Sequence, residues 1–93
     1  MKKPKFLTGG QAAVKSLKKE KVKHVFGLIG SATMEMFDAL YHEKKINFIG
    51  VRDERSGTHM ADGYARASNQ PGVILAGQNG PGATNLVTGL AQA

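Results

Sequence analysis

Val51-Arg52-Asp53-Glu54-Arg55-Ser56-Gly57-Thr58-His59-Met60-Ala61-Asp62-Gly63-Tyr64-Ala65-Arg66 is the stretch that decides the fold of this 93-residue chain. Ile46-Asn47-Phe48-Ile49-Gly50-Val51, running into it, reads as a strand, and Met60, Ala61, Tyr64 and Ala67 fall at helical spacing after it. Glu54 therefore stands where a strand hands over to a helix. In a parallel α/β sheet the carboxyl ends of the strands are where ligands bind. Two readings of the acid pair follow. Asp53 caps the helix and Glu54 suits its positive N-terminal end. Alternatively, Glu54 faces a cleft and exchanges a proton or a hydrogen bond with a ligand. Spacing alone does not separate them.

Outward from that stretch the chain alternates helix and strand. Thr8 or Gly9 opens a first helix, with Ala12, Ala13, Val14 and Leu17 on its apolar side and Lys15, Lys18, Lys19 and Glu20 toward water. His24-Val25-Phe26-Gly27-Leu28-Ile29 is a short apolar run of the kind found in buried parallel strands. Ser31 or Thr33 caps a second helix with Met34, Phe37, Leu40 and Tyr41 inward, and Lys44-Lys45 suits its C-terminal end. Gln70-Pro71-Gly72 is a turn, and Val73-Ile74-Leu75-Ala76 is a third strand. Gly80-Pro81-Gly82 opens a fourth helix with a stripe of Ala83, Leu86, Val87, Leu90 and Ala91. The expected fold class is α/β: a three-layer parallel sheet flanked by helices, with right-handed crossovers. The first strand is expected to be central, in order 2-1-3.

Composition narrows the function. The net charge is +6, yet residues 1 to 23 hold eight lysines against one glutamate, and the rest holds five basic residues against six acidic ones. The excess is an N-terminal coat without interleaved aromatics, which argues against nucleic-acid binding. There is no cysteine, so no disulfide or thiolate metal site forms. No apolar run is long enough to span a membrane, and the basic start Met1-Lys2-Lys3-Pro4-Lys5 lacks the apolar core of a secretory signal. The cytoplasm is the expected location. After Arg66 no residue is charged, the composition of a surface covered by more protein.

Several words of the sequence, in order, resemble the pyrimidine-binding domain of thiamine-diphosphate enzymes, the relatives of acetolactate synthase. They are Glu54, Met60-Ala61-Asp62-Gly63-Tyr64-Ala65-Arg66, Gly72-Val73 and Asn79-Gly80-Pro81-Gly82-Ala83-Thr84-Asn85. The resemblance covers about Thr8 to Ala93. It implies that Glu54 is catalytic: it hydrogen-bonds the aminopyrimidine ring, favours its imino tautomer and so helps remove the thiazolium proton. A carboxylic acid is needed because an amide cannot exchange that proton. The resemblance also places Gly80, Pro81, Gly82 and Asn85 beside the cofactor ring. From the residues alone, the Gly-Pro-Gly word is equally a tight turn opening a helix, and Asn85 equally a partner for nearby backbone. No Gly-Lys-Ser/Thr follows, so it is not a phosphate-binding P-loop.

Ile29, Gly30 and Ser31 follow the first strand without the spacing of a dinucleotide fingerprint. In the resembled family this loop sits near the active-site mouth, together with His59, Gln78 and Asn79. Ile29, where many members carry proline, His59-Met60-Ala61-Asp62-Gly63 and Gly77-Gln78-Asn79-Gly80-Pro81-Gly82 resemble the sulfoacetaldehyde acetyltransferase branch. Members of that branch convert sulfoacetaldehyde and phosphate to acetyl phosphate and sulfite. Asp53 departs from it, since histidine often precedes the key glutamate there. An acetolactate-synthase-like carboligase or a 2-oxoacid decarboxylase is the alternative, and a non-catalytic interaction module is another. Gly57 and Gly63, inside the third helix, imply close packing against a neighbouring element or, by the resemblance, a subunit interface.

Residues 1–93 are thus expected to be an incomplete thiamine-diphosphate pyrimidine-binding domain, inactive alone. By the resemblance, the diphosphate and its Mg²⁺ are held by a second domain, from a second subunit of a homo-dimer or tetramer. No metal ligand is assigned to this chain.

Overall fold

The computed structural model describes residues 6–93; the lysine-rich residues 1–5 lie outside it. The first helix starts on a capping box. Thr8 Oγ1 accepts from the Gln11 backbone N–H at 3.1 Å, and the Thr8 N–H donates to the Gln11 side chain at 3.0 Å. Helix α1 (Gly9–Lys19) follows, then β1 (His24–Gly27), a 3₁₀ turn (Ser31–Thr33) and α2 (Met34–His42). Next come β2 (Asn47–Gly50), α3 (Glu54–Ser68), β3 (Val73–Leu75), α4 (Gly80–Thr84) and α5 (Val87–Gln92).

The sheet is parallel with β1 in the middle, in the order β2-β1-β3, as expected. Val25 faces Phe48 on one side and Val73 on the other, and Phe26 faces Ile49 and Ile74. Period-two alternation sends these two layers to opposite faces. Val25, Phe48, Val73 and Leu75 pack with Val14, Phe37, Leu40 and Ile46 beneath α1 and α2. Val25 is 0% exposed and is the centre of that core. Burying each such side chain contributes about 1.5–3 kcal/mol. On the other face the Tyr64 ring of α3 meets His24 edge-on at 5.3 Å and Phe26 at 6.2 Å. Helix α5 lies on α3, with Gly89 against Thr58.

Several inward positions differ from expectation. Met34 and Tyr41 are 58% and 82% exposed, and Ala12, Met60 and Ala67 also face out. Packing on the sheet selected Phe37 and Leu40 from α2 and Val14 from α1, a narrower stripe than helical spacing allowed. Neither Ser31 nor Thr33 caps α2 through its side chain. Thr33 Oγ1 donates instead to the Ala76 and Gly77 carbonyls, at 3.1 and 3.4 Å.

The expected fourth helix is two short ones. Thr84 Oγ1 turns back onto the Gly80 and Pro81 carbonyls, and the Leu86 N–H bonds Ala83 rather than Gly82. The tightened turn at Leu86 is where the helix breaks. In consequence Val87 and Leu90 are exposed, and Gly82 and Gly89 are the buried positions of this segment.

Candidate active site

Asp53 begins α3. Its carboxylate accepts from the Arg55 N–H at 2.8 Å, closing an N-cap, and from the Arg55 guanidinium at 3.1 and 2.8 Å. Those hydrogen bonds hold its carboxyl below the ordinary aspartate value. Thr58 Oγ1 donates to the Glu54 carbonyl at 2.7 Å, bracing the first turn from within. Glu54 is thereby fixed as the first residue of a 15-residue helix, where the positive end suits an anion. Asp53 is the cap of the first reading, and Glu54 lines a cleft, the placement that the second reading requires.

Glu54 is 5% exposed. A buried carboxylate is costly unless it has partners. Asn85 Nδ2, from the break between α4 and α5, donates to Glu54 Oε1 at 3.3 Å. Oε2 has no hydrogen-bond partner among the described residues. It is not sealed in, since no buried side-chain oxygen or nitrogen there lacks a partner. Glu54 lines a cleft of about 300 Å³ together with Leu28, Ile29, Gly30, Gln78, Pro81 and Asn85. A Cβ on Gly82 would come within 3.4 Å of Oε2. The glycine keeps that oxygen uncovered, and Pro81 beside it supplies a flat apolar wall.

The rim is built from two touching loops. A side chain on Gly30 would strike the Gly77 carbonyl, and Gln78 Oε1 accepts from Ser31 Oγ at 3.3 Å and from the Ala32 N–H at 3.1 Å. Arg52 also lines the cleft. Arg55 is paired with Asp53 and Arg66 with Asp62, whereas Arg52 has no ion-pair partner among the described residues. The site thus offers one carboxylate oxygen able to give or take a proton, a flat wall and an unneutralised cation.

Residues 7–93 match the family described as "Thiamine pyrophosphate enzyme, N-terminal TPP binding domain". The chain belongs to this family. Among relatives of this thiamine pyrophosphate enzyme domain is the acetolactate synthase large subunit of Cyanidium caldarium. It is 52% identical over an alignment of 89 residues that covers 92% of this chain and 15% of that protein. The mitochondrial acetolactate synthase catalytic subunit of Saccharomyces cerevisiae is 46% identical over 87 residues, 94% of this chain and 12% of its own length. Acetolactate synthase isozyme 3 large subunit of Escherichia coli is 46% identical over 87 residues, 94% and 15% respectively. The chain spans between 12% and 15% of the length of these relatives.

Within this thiamine pyrophosphate enzyme domain, the cleft gathers Glu54, Pro81, Gly82, Asn85, Ile29, Gly30 and Gln78, and Ser31 joins through Gln78. Gly80, Asn79 and His59 do not line it. Gly80 has open space where a Cβ would stand, so the close approach falls at Gly82 alone. His59 is exposed on α3, a turn beyond Glu54. Gly57 is buried against Ile74, whereas Gly63 is exposed with nothing near it. Arg52 and Leu28 line the cleft without having been singled out from sequence, and Gly77, quoted only as part of a longer word, lines it too. The signal for Arg52 was its place beside Glu54 at the carboxyl end of a strand.

Proposed function

We propose that this chain is the pyrimidine-binding part of an acetolactate-synthase-like carboligase, joining two 2-oxoacids with loss of carbon dioxide. The observation that carries the reading is the half-satisfied Glu54, with Oε1 tied to Asn85 and Oε2 open beside Gly82. Glu54 would hold a proton between Oε2 and a ring nitrogen of thiamine diphosphate. Asn85 would keep the carboxylate turned toward that nitrogen, and the Pro81-Gly82 wall would seat the ring. Ile29, Gly30 and Ser31 would shape the mouth through which substrate enters. The bound cofactor supplies the nucleophilic, electron-accepting carbon centre of the reaction.

The cofactor's diphosphate and Mg²⁺ would be held by a further domain, in an assembly of at least two subunits. Among the described residues no three His, Asp or Glu side chains gather to hold a metal. The relatives named acetolactate synthase favour the carboligase over the sulfoacetaldehyde acetyltransferase that Ile29, His59 and Gln78 suggested. No helix among the described residues is long and apolar enough to cross a membrane. The cytoplasm is the proposed location, although two relatives are named as mitochondrial.

The test is product analysis of the complete protein with thiamine diphosphate and Mg²⁺. Acetolactate from pyruvate is the expected result. Phosphate-dependent release of sulfite from sulfoacetaldehyde, without acetolactate, would restore the acetyltransferase.

A further inference from the structure

The side chain of Gln78 bridges two loops through its oxygen. Its oxygen receives Ser31 Oγ at 3.3 Å and the Ala32 N–H at 3.1 Å, across a sequence separation of 46 to 47 residues. A backbone N–H can only donate, so the atom facing Ala32 is the oxygen and the amide nitrogen points away from that loop. Thr33 Oγ1 adds a bond to the Ala76 carbonyl at 3.1 Å, so three consecutive residues of the mouth loop are stitched to the end of β3. Gln78 is itself a wall of the Glu54 cleft, and its Nε2 has no partner among the described residues.

We propose that Gln78 is a positioning and specificity residue. Its oxygen latches the Ser31–Thr33 turn against the β3–α4 loop, and the latch leaves its amide N–H as a pre-oriented donor for a carbonyl or carboxylate oxygen of the substrate. The ordering of a glutamine side chain is met in advance by the latch, so the donor meets its acceptor at low entropic cost. The Ser31 hydroxyl and the Ala32 N–H act through Gln78 and do not touch substrate. The substrate class, a 2-oxoacid, rests on the carboligase reading; the latch does not.

Two variants of the complete protein separate the two ends. Gln78→Glu keeps an acceptor for Ser31 and Ala32 but removes the donor. Gln78→Met removes both. Hydrogen exchange of the Ala32 amide reads the latch without any turnover: it accelerates about tenfold or more in Gln78→Met and stays protected in Gln78→Glu. Steady-state kinetics read the donor. In Gln78→Glu the KM for pyruvate rises about tenfold, kcat stays within about twofold, and the Kd for thiamine diphosphate is unchanged. The rise persists at about 0.5 M salt, where repulsion between the new carboxylate and an anionic substrate is screened. Unchanged Ala32 exchange in Gln78→Met overturns the latch. A wild-type KM in Gln78→Glu, or a rise that vanishes in salt, overturns the donor. Failure of the carboligase reading itself shows separately, as wild-type protein that makes no acetolactate, and leaves the exchange result standing.

Discussion

The two faces of the sheet are built by different means. Under α1 and α2, side chains do most of the packing: Val14, Val25, Phe37, Leu40 and Ile46 form one cluster, with Phe37 and Phe48 meeting edge-on at 5.3 Å, and backbone enters where Gly10 of α1 lies on the Glu35 carbonyl of α2. Toward α3 and along the strand ends, backbone does much of it. Gly57 sits on Ile74, Gly89 on Thr58, Gly77 on Gly30, and Gly82 beside Glu54. Among the described residues the first cluster holds no buried polar side chain. The second brings main chain within reach of a buried carboxylate and leaves a cleft beside it. A stable half and a chemically open half thus share one three-stranded sheet.

The contrast breaks most sharply at Glu54. Glu54→Gln in the complete protein is expected to lower cofactor-dependent turnover by about 10²–10⁴-fold with folding intact, the usual range for a lost proton-transfer group. Turnover near the wild-type level, measured under saturating cofactor, would remove Glu54 from the chemistry. On the opposite face, Phe37→Ala is expected to cost about 3–5 kcal/mol of stability in denaturant titration, by leaving a cavity in the side-chain core. If kcat and KM per folded molecule also change, the two faces are coupled and the division fails.

Gly57→Val sharpens the claim that backbone approach builds the α3 face. A Cβ there would reach the tip of the Ile74 side chain and come 3.1 Å from Val51. The expected loss is about 1–3 kcal/mol from overpacking. A matching Gly63→Ala, at an open helical position, is expected to gain up to about 1 kcal/mol. Equal responses at both sites, read as thermal midpoints, would show that position does not matter.

The smallest effect belongs to Asp53. Its carboxyl is held low by Arg55, so its contribution is fully present above the ordinary aspartate value. That contribution is lost as pH falls through the lowered folded value. Asp53→Ala should therefore be slightly less stable than wild type at neutral pH, with the gap closing in strong acid. A gap independent of pH would mean that the Arg55 pair contributes nothing and only the turn geometry matters.

Sequence determined the alternation of elements, the central place of the first strand and the position of Glu54 at a strand-to-helix junction. These rest on local periodicity and on short apolar runs, which a chain carries wherever it folds. The family was legible too, because Glu54, Met60–Arg66 and Asn79–Asn85 are contiguous words at set intervals. Tertiary structure alone decided the rest. Helical spacing gives a face its period but not its phase, so Met34 and Tyr41 could be placed outside only once α2 had docked through Phe37 and Leu40. The Asn85–Glu54 bond spans 31 residues and the Gln78–Ser31 bond 47, and no local pattern encodes a pairing at such a distance. Those two bonds form only after the sheet brings three strand ends together, and they fix two walls of the cleft beside Glu54.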